Sequence, residues 1–550
     1  MTDAAGESDG ASPHPDTSFT LPAISRRRLL ASSAGLGGAL LVGGSVQVAR
    51  GQDATPMPDH AAQEAADGRL IPGPTEWSPE ELVEPEVRHS RNGVLETELH
   101  VRYARRDVGG YQTMTRTYEG TVPGPTFRVQ PGDVLKISMI NELPADMDPM
   151  PADMNIPHHF NTTNFHFHGS HVSPEGISDN VFREFAPGTT NPIEIAIPAD
   201  HPSGTYWYHP HHHGGADIQI ASGMAAALII EGDFADVPEI AAAKERLLVL
   251  SQMVFNAWRE VEEFETLFPE NSTRFFTVNG QRAPIIRMQP GEVQRWRILH
   301  AGYQDDFFLE LEGHTMHAIA RDGVPLAKMS QLVVPPDSGP AATTSPILFA
   351  PAQRVDVLVK AGEPGTYKLQ AMPYDQGYEA PTGLFATVIV EGDPLPMELP
   401  TSLPPVPLKT ITDDEITGTR DLTFSRFAPE VDAAGHWQEF TFIVDGKTFD
   451  PNRVDHRIAL GAVEEWTVTN LEAHNDHVFH IHVNPFQLTK VNGQPLEEPV
   501  WLDTAIIPTN GGSITFRSRF TDFTGKYVLH CHMMNHEELG MMQVVEVVDA

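Results

Sequence analysis

Three segments spaced by about 160 residues share one pattern, and this spacing constrains the fold more than any other property of the chain. Gly204-Thr205-Tyr206-Trp207-Tyr208-His209-Pro210-His211 returns as Gly365-Thr366-Tyr367-Lys368-Leu369-Gln370-Ala371-Met372, then as Gly525-Lys526-Tyr527-Val528-Leu529-His530-Cys531-His532. In each copy the glycine stands five residues ahead of His209, Gln370 or His530, and an apolar strand-like run follows, at 225–231, 384–391 and 542–548. An upstream segment repeats too: Phe127-Arg128-Val129-Gln130-Pro131-Gly132-Asp133-Val134 becomes Ile286-Arg287-Met288-Gln289-Pro290-Gly291-Glu292-Val293. A weaker third copy, Ile458-Ala459-Leu460-Gly461-Ala462-Val463-Glu464, keeps the glycine but not the proline. Solenoid and propeller units repeat every 20 to 50 residues or so, which excludes both and leaves three homologous domains.

Within each unit, β-branched and aromatic runs alternate with Pro-Gly, Asn-Gly and Asp-Gly turns, and long helical periodicities are few. That pattern predicts antiparallel β-sandwiches over residues 85–235, 236–395 and 396–550. The 550 residues, 40% of them hydrophobic and 20% charged, suffice for three such cores. A formal charge of −37 excludes a nucleic-acid partner, because a phosphate backbone repels it. The same charge attracts cations or serves solubility, and composition does not choose between them.

Ahead of the first unit, Ser25-Arg26-Arg27-Arg28-Leu29-Leu30 precedes a soft apolar run, Ala31 to Val48, rich in glycine and alanine. Residues 1–49 therefore read as a twin-arginine export signal, with cleavage expected near Ala49 or Ala54. A membrane anchor is the competing reading, but so many glycines would insert poorly. Export by the twin-arginine machinery predicts a folded bacterial protein in the periplasm or outside the cell, with no stable membrane insertion once the signal is removed. Residues 50–84, rich in Pro, Asp, Glu and Ala, are expected to form a flexible linker.

The chemistry concentrates in four His-x-His units: His166/His168, His209/His211, His480/His482 and His530/His532. On a strand, residues i and i+2 project from one face, so each unit aims two imidazoles at one place. The units belong to the first and last repeats, and Gln370 and Met372 replace them in the middle one. A metal cluster between domains 1 and 3 is the expectation, with domain 2 as spacer. The only cysteine of the chain, Cys531, lies between two of these histidines and must face the other way. With His536, Met541 and His477 nearby, it completes the thiolate, imidazole and thioether set of a copper electron-transfer site. Zinc is the runner-up, weakened because structural zinc sites favour several cysteines.

These motifs resemble those of the three-domain multicopper oxidases, the group of laccases, ferroxidases and bacterial cuprous oxidases, over about residues 85 to 550. The resemblance implies three cupredoxin-like Greek-key sandwiches and four copper ions. It implies type 1 copper at His477, Cys531, His536 and Met541, and type 2 copper at His166 and His480. One type 3 copper would lie at His168, His209 and His532, the other at His211, His482 and His530. The stretch His477-Val478-Phe479-His480-Ile481-His482-Val483 lacks the family's customary proline after the first histidine and glycine after the third, which puts its local backbone geometry in question.

Reduction of O2 consumes protons, so carboxylates near the cluster are expected. Asp179 and Glu537 match family acids used in that relay; the competing readings are a turn residue and a solvated acid. His158, His159, His171, His212, His213 and His474 are assigned no copper. The Met147 to Met154 stretch reads as an acidic loop with incidental methionines rather than a Cu(I) site. Asn475 and Asp476 precede His477, whose exposed edge would accept the substrate's electron. The expected activity is a laccase-like oxidase that couples four one-electron oxidations of a phenol-type reductant to reduction of O2 to water. The alternatives are a Cu(I) or Fe(II) metallo-oxidase in copper tolerance and a non-enzymatic copper-binding scaffold.

Overall fold

The computed structural model describes residues 78–268, 272–331, 347–427 and 441–549; the expected signal region and most of the expected linker lie outside them. Strands fall into six sheets, two for each repeat, so the repeat is a sandwich. In the first sandwich, Gly204–His209 lies between Ala226–Ile230 and His166–His168. Gly365–Met372 holds the same place between Gly383–Val390 and Phe307–Leu311, and Gly525–Cys531 between Met542–Val548 and His477–Ile481. The sequence repeat is thus one strand position used three times.

The upstream repeat is a turn. Gly132 and Gly291 have φ of +90° and +80°, as the third residue of a type II turn after proline requires. The acid that follows closes it: Asp133 Oδ2 accepts from the Gln130 N–H at 2.8 Å, and Glu292 Oε2 from the Gln289 N–H at 2.7 Å. A carboxylate that caps its own turn explains why an acid recurs there.

The sandwiches are mixed rather than antiparallel, which corrects the expectation from the turns. Each sheet contains a parallel pair, such as Val94–Val108 with Val134–Asn141, and Thr126–Val129 with Ala226–Ile230. Equivalent parallel pairs recur in the second and third sandwiches. Parallel neighbours require crossovers between sheets, and turn dipeptides report only the hairpins. Ala226–Ile230 is buried throughout and correspondingly apolar, as a central strand covered on both faces must be. Residues 169–189 of the first sandwich carry no strand, where the third folds the hairpin of Phe486–Val491 and Gln494–Leu502; Asp179 sits in that stretch. Among the described residues, no helix is long and apolar enough to cross a membrane.

Candidate metal centre

Strand register brings the histidines together. His166 pairs with His209 in the first sandwich, and His480 with His530 in the third. At the matching position of the second sandwich, Glu310 pairs with Gln370, whose amide donates to Glu310 Oε2 at 3.2 Å. One register therefore serves twice to collect imidazoles and once to form an ordinary hydrogen bond. Only His166 and His168 both lie within a strand; His211, His482 and His532 stand just past the ends of theirs, where the chain still carries them to the same side.

Four buried groups result: His166/His168/His480, His168/His209/His532, His211/His482/His530 and His477/Cys531/His536. The first three mix residues of the first and third sandwiches. In the third group the Nε2 atoms stand 3.1, 3.1 and 3.3 Å apart. A first-row ion bound about 2.0 Å from each nitrogen in a tetrahedral arrangement demands separations of about 3.3 Å. His209 Nε2 lies 3.4 Å from His168 Nδ1. In the fourth group, Cys531 Sγ is 3.6 Å from each Nδ1 of His477 and His536, which are 3.2 Å from one another. The Val478 N–H donates to Sγ at 3.4 Å. His536 rides on the short helix Met534–Glu538. Met541 is fully buried, its carbonyl accepting from the Cys531 N–H at 3.1 Å and its N–H donating to the His536 carbonyl at 3.0 Å.

The donor set fits copper. Buried Nε2 atoms of His166 and His480, and both ring nitrogens of His532, have no hydrogen-bond partner. Unpaired polar atoms in an interior are costly unless a ligand engages them. Burial, with neighbouring imidazoles second, holds His166, His168, His480, His482 and His532 well below the usual imidazole range. Burial holds His477 down to about 3. These rings are neutral and offer lone pairs. Burial pushes the Cys531 thiol up to about 12, so a metal ion must displace its proton. One thiolate with two imidazoles is the donor set of copper electron-transfer sites, whereas structural zinc sites favour several thiolates.

Further residues fix the ligands. Asp179 Oδ1 accepts from the Phe167 N–H at 2.8 Å, and its carboxylate lies 3.1 Å from His166 Nδ1; burial pushes it up to about 8. Glu537 Oε2 is 2.9 Å from His530 Nδ1, and Oε1 is 3.4 Å from His211 Nδ1. Burial alone would raise Glu537, but His211 and His530 pull it down to about 2. Neither acid is a solvated surface residue: Asp179 is 3% exposed and Glu537 is fully buried.

Several participants carry no sequence signal. Asp503 Oδ1 lies 3.1 Å from His168 Nε2, and the Asp503 carbonyl 2.7 Å from His480 Nδ1. Arg354, from the second sandwich, grips both Asp503 oxygens at 2.7 and 2.6 Å and donates from Nε to the Thr205 carbonyl at 3.1 Å. A Cβ on Gly169 would meet Asp503 Oδ2 at 2.3 Å and Arg354 Nη2 at 2.4 Å, so only glycine admits this pair beside His168. The middle sandwich is therefore more than a spacer. Glu538 accepts from the Gly214 and Ala216 N–H groups at the start of helix Ala216–Ser222. Burial, with the nearby charge of Asp217 second, raises Glu538 well above the usual carboxyl range.

His477 departs from expectation, since it is fully buried rather than exposed at one edge. Phe424 and Phe442 meet its ring edge-on. Asp476 is also buried, accepting from the Tyr374 hydroxyl and the Thr509 N–H. Val483 takes φ of +68°, the left-handed conformation normally left to glycine; this is the backbone consequence of the unusual motif.

Family models described as Multicopper oxidase match residues 155–234, 251–393 and 415–550. The chain is 25% identical over 441 residues to a multicopper oxidase, mco, of Staphylococcus aureus, covering 79% of this chain and 84% of that protein. It is 24% identical to a laccase of Bacillus stratosphericus, covering 85% and 97%. A solved multicopper oxidase from Campylobacter jejuni, described as a metallo-oxidase, superposes with a TM-score of 0.70 at 25% identity, covering 87% and 97%.

Proposed function

The chain belongs to the multicopper oxidase family, copper oxidoreductases that use O2, and from that premise we propose that it is a laccase-like oxidase of small phenol-type reductants. One observation carries the reading: Cys531 of the His477/Cys531/His536 group is bonded in sequence to His530 and His532, which belong to two other groups. His477, Cys531, His536 and Met541 hold type 1 copper in this reading, and His166 and His480 type 2. His168, His209 and His532 hold one type 3 ion, and His211, His482 and His530 the other. Copper so bound supplies the one-electron steps and the four-electron reduction of O2 to water.

The residues around the groups do the rest. A covalent path of one strand joins Cys531 to its flanking imidazoles. Asp179, whose carboxyl burial raises, stands beside His166 Nδ1 where it can take up and release a proton. Glu537 sets its carboxylate beside the Nδ1 edges of His211 and His530, the His530 Nδ1–H donates to the Cys531 carbonyl at 3.1 Å, and each Nε2 is left aimed into the group. Phe424 and Phe442 exclude water from His477. The domains span 85–235, 236–395 and 396–550, and residues 1–49 direct twin-arginine export to a periplasmic or extracellular location.

A second reading, oxidation of Cu(I) or Fe(II), is favoured by Asp306. It is fully buried, both its oxygens lack partners, and burial, with the charge of Asp476 second, holds its carboxyl well above the usual range. A buried carboxyl with no partner gains from a cation that displaces its proton, which suits a cationic reductant. Steady-state O2 uptake by the copper-loaded protein across phenols, Cu(I) and Fe(II) decides between them. Copper-loaded protein that consumes no O2 with any of them refutes both and leaves a scaffold.

A further inference from the structure

A cavity of about 700 Å³ opens on the His211 side of the centre, and thioethers and imidazoles line it together. Met150 and Met154, from the stretch that reads in sequence as an incidental acidic loop, face it along with His158, His212 and His213. His158 Nδ1 donates to the Ile156 carbonyl at 2.7 Å, which makes Nε2 the lone-pair nitrogen of the ring. The His158 N–H donates to the Gly214 carbonyl at 2.6 Å, and this bond pins the 212–214 backbone against it. The His212 ring then stands edge-on to His158 at 6.1 Å between centroids, 3% exposed, with its Nε2 bonded to nothing. Met154 packs against the edge of a small apolar cluster that includes Met542. Glu175 and Glu184 also line the cavity, facing one cation, Lys526.

We propose that this cavity is a Cu(I) capture site, distinct from the four histidine groups, through which copper reaches the His211/His482/His530 group. Thioether sulfur and neutral imidazole nitrogen are the donors that select a soft monovalent ion over Fe(II), Mg(II) or Ca(II). A buried imidazole nitrogen without a partner is costly and marks where such an ion gains most. His211 lines the same cavity and belongs to the metal group, so transfer is an exchange of neutral ligands with no change in the charge of the ion. The capture half stands independently of the assigned activity; the delivery half rests on the copper assignment of the His211 group.

Ag(I), a soft ion that O2 does not oxidise, tests the capture half on the full copper-loaded chain. The expected result is one further tightly bound Ag(I) with sulfur and nitrogen neighbours in its X-ray absorption spectrum. Its affinity should fall at least about tenfold in Met150→Leu/Met154→Leu and, separately, in His212→Gln, while the blue absorption band is unchanged. No additional Ag(I), or binding indifferent to both variants, overturns the proposal. Loading of metal-free full-length chain with Cu(I) tests delivery: the variants should load more slowly to the same final copper content. Equal loading rates overturn the delivery role. A wild-type chain with no blue band would instead sink the Cys531 assignment, and Ag(I) binding would still be scored separately.

Discussion

Replacement of Arg354 by methionine separates what the middle sandwich does from what a spacer would do. Arg354 is 1% exposed and makes a two-pronged contact with Asp503, which in turn touches His168 and, through its carbonyl, His480. Removal of one partner of a buried ion pair costs about 3 to 5 kcal/mol, because the other charge is left unpaired. Loss of the contact that orients a metal ligand costs roughly 10- to 100-fold in metal affinity, or about 1.4 to 2.7 kcal/mol. The folding penalty is the larger, so Arg354→Met alone should both unfold at lower temperature and hold copper less well.

The double variant Arg354→Met/Asp503→Leu distinguishes the two effects. Removing both charges relieves the unpaired burial, so most of the stability should return. Copper affinity should not return, because the single variant leaves the carboxylate beside His168 Nε2 without the arginine that fixes it and the double variant removes that carboxylate. Thermal unfolding of the metal-free chains, with copper content and the type 2 electron paramagnetic resonance signal after dialysis against a chelator, reads both. A double variant as unstable as the single one refutes the charge argument. Arg354→Met that keeps wild-type copper affinity refutes the positioning argument.

Cys531→Ser should keep the histidine-bound copper, lose one copper and the blue band, and stop oxidising substrate; retained turnover in an O2 electrode would refute the electron path through residue 531. Val483→Gly should lower stability by about 1 to 2 kcal/mol, since loss of a side chain 4% exposed within the apolar core costs more than the roughly 1 to 2 kcal/mol that relief of the left-handed backbone returns; a raised unfolding temperature would refute the packing argument. At the contact of the first two sandwiches, burial would raise Glu245, but Arg297, Arg128 and Arg295 draw it down to about 2. A carboxyl depressed in the folded state gives stability above its ordinary value near 4.5 and loses it as pH falls toward 2. Acid unfolding should therefore steepen between those values, and Glu245→Gln should flatten that part of the curve.

What the sequence discloses and what it hides differ by physical cause. Ligands that share a strand or a short turn, such as His166 with His168 or His530 with Cys531 and His532, are tied by local geometry, and a spacing of two residues reports it. Repetition of one strand position in three sandwiches is legible for the same reason: the turn and the glycine recur with the backbone they serve. Arg354, Asp503 and Gly169 have no such spacing. They meet across three sandwiches, and each alone looks like an ordinary strand or turn residue.

The burial of His477 was equally hidden, because Phe424 and Phe442 approach it from other strands. Crossovers leave no local trace because turn residues mark hairpins only, so the parallel pairs have no signature. The middle sandwich shows the consequence most fully. Its strand exchanges histidines for Glu310 and Gln370, which suggests release from function. Yet an arginine from another of its strands reaches across to the aspartate that orients two ligands. A domain that holds no ligands can still set their geometry, provided it supplies a buried charge that only the assembled site can neutralise.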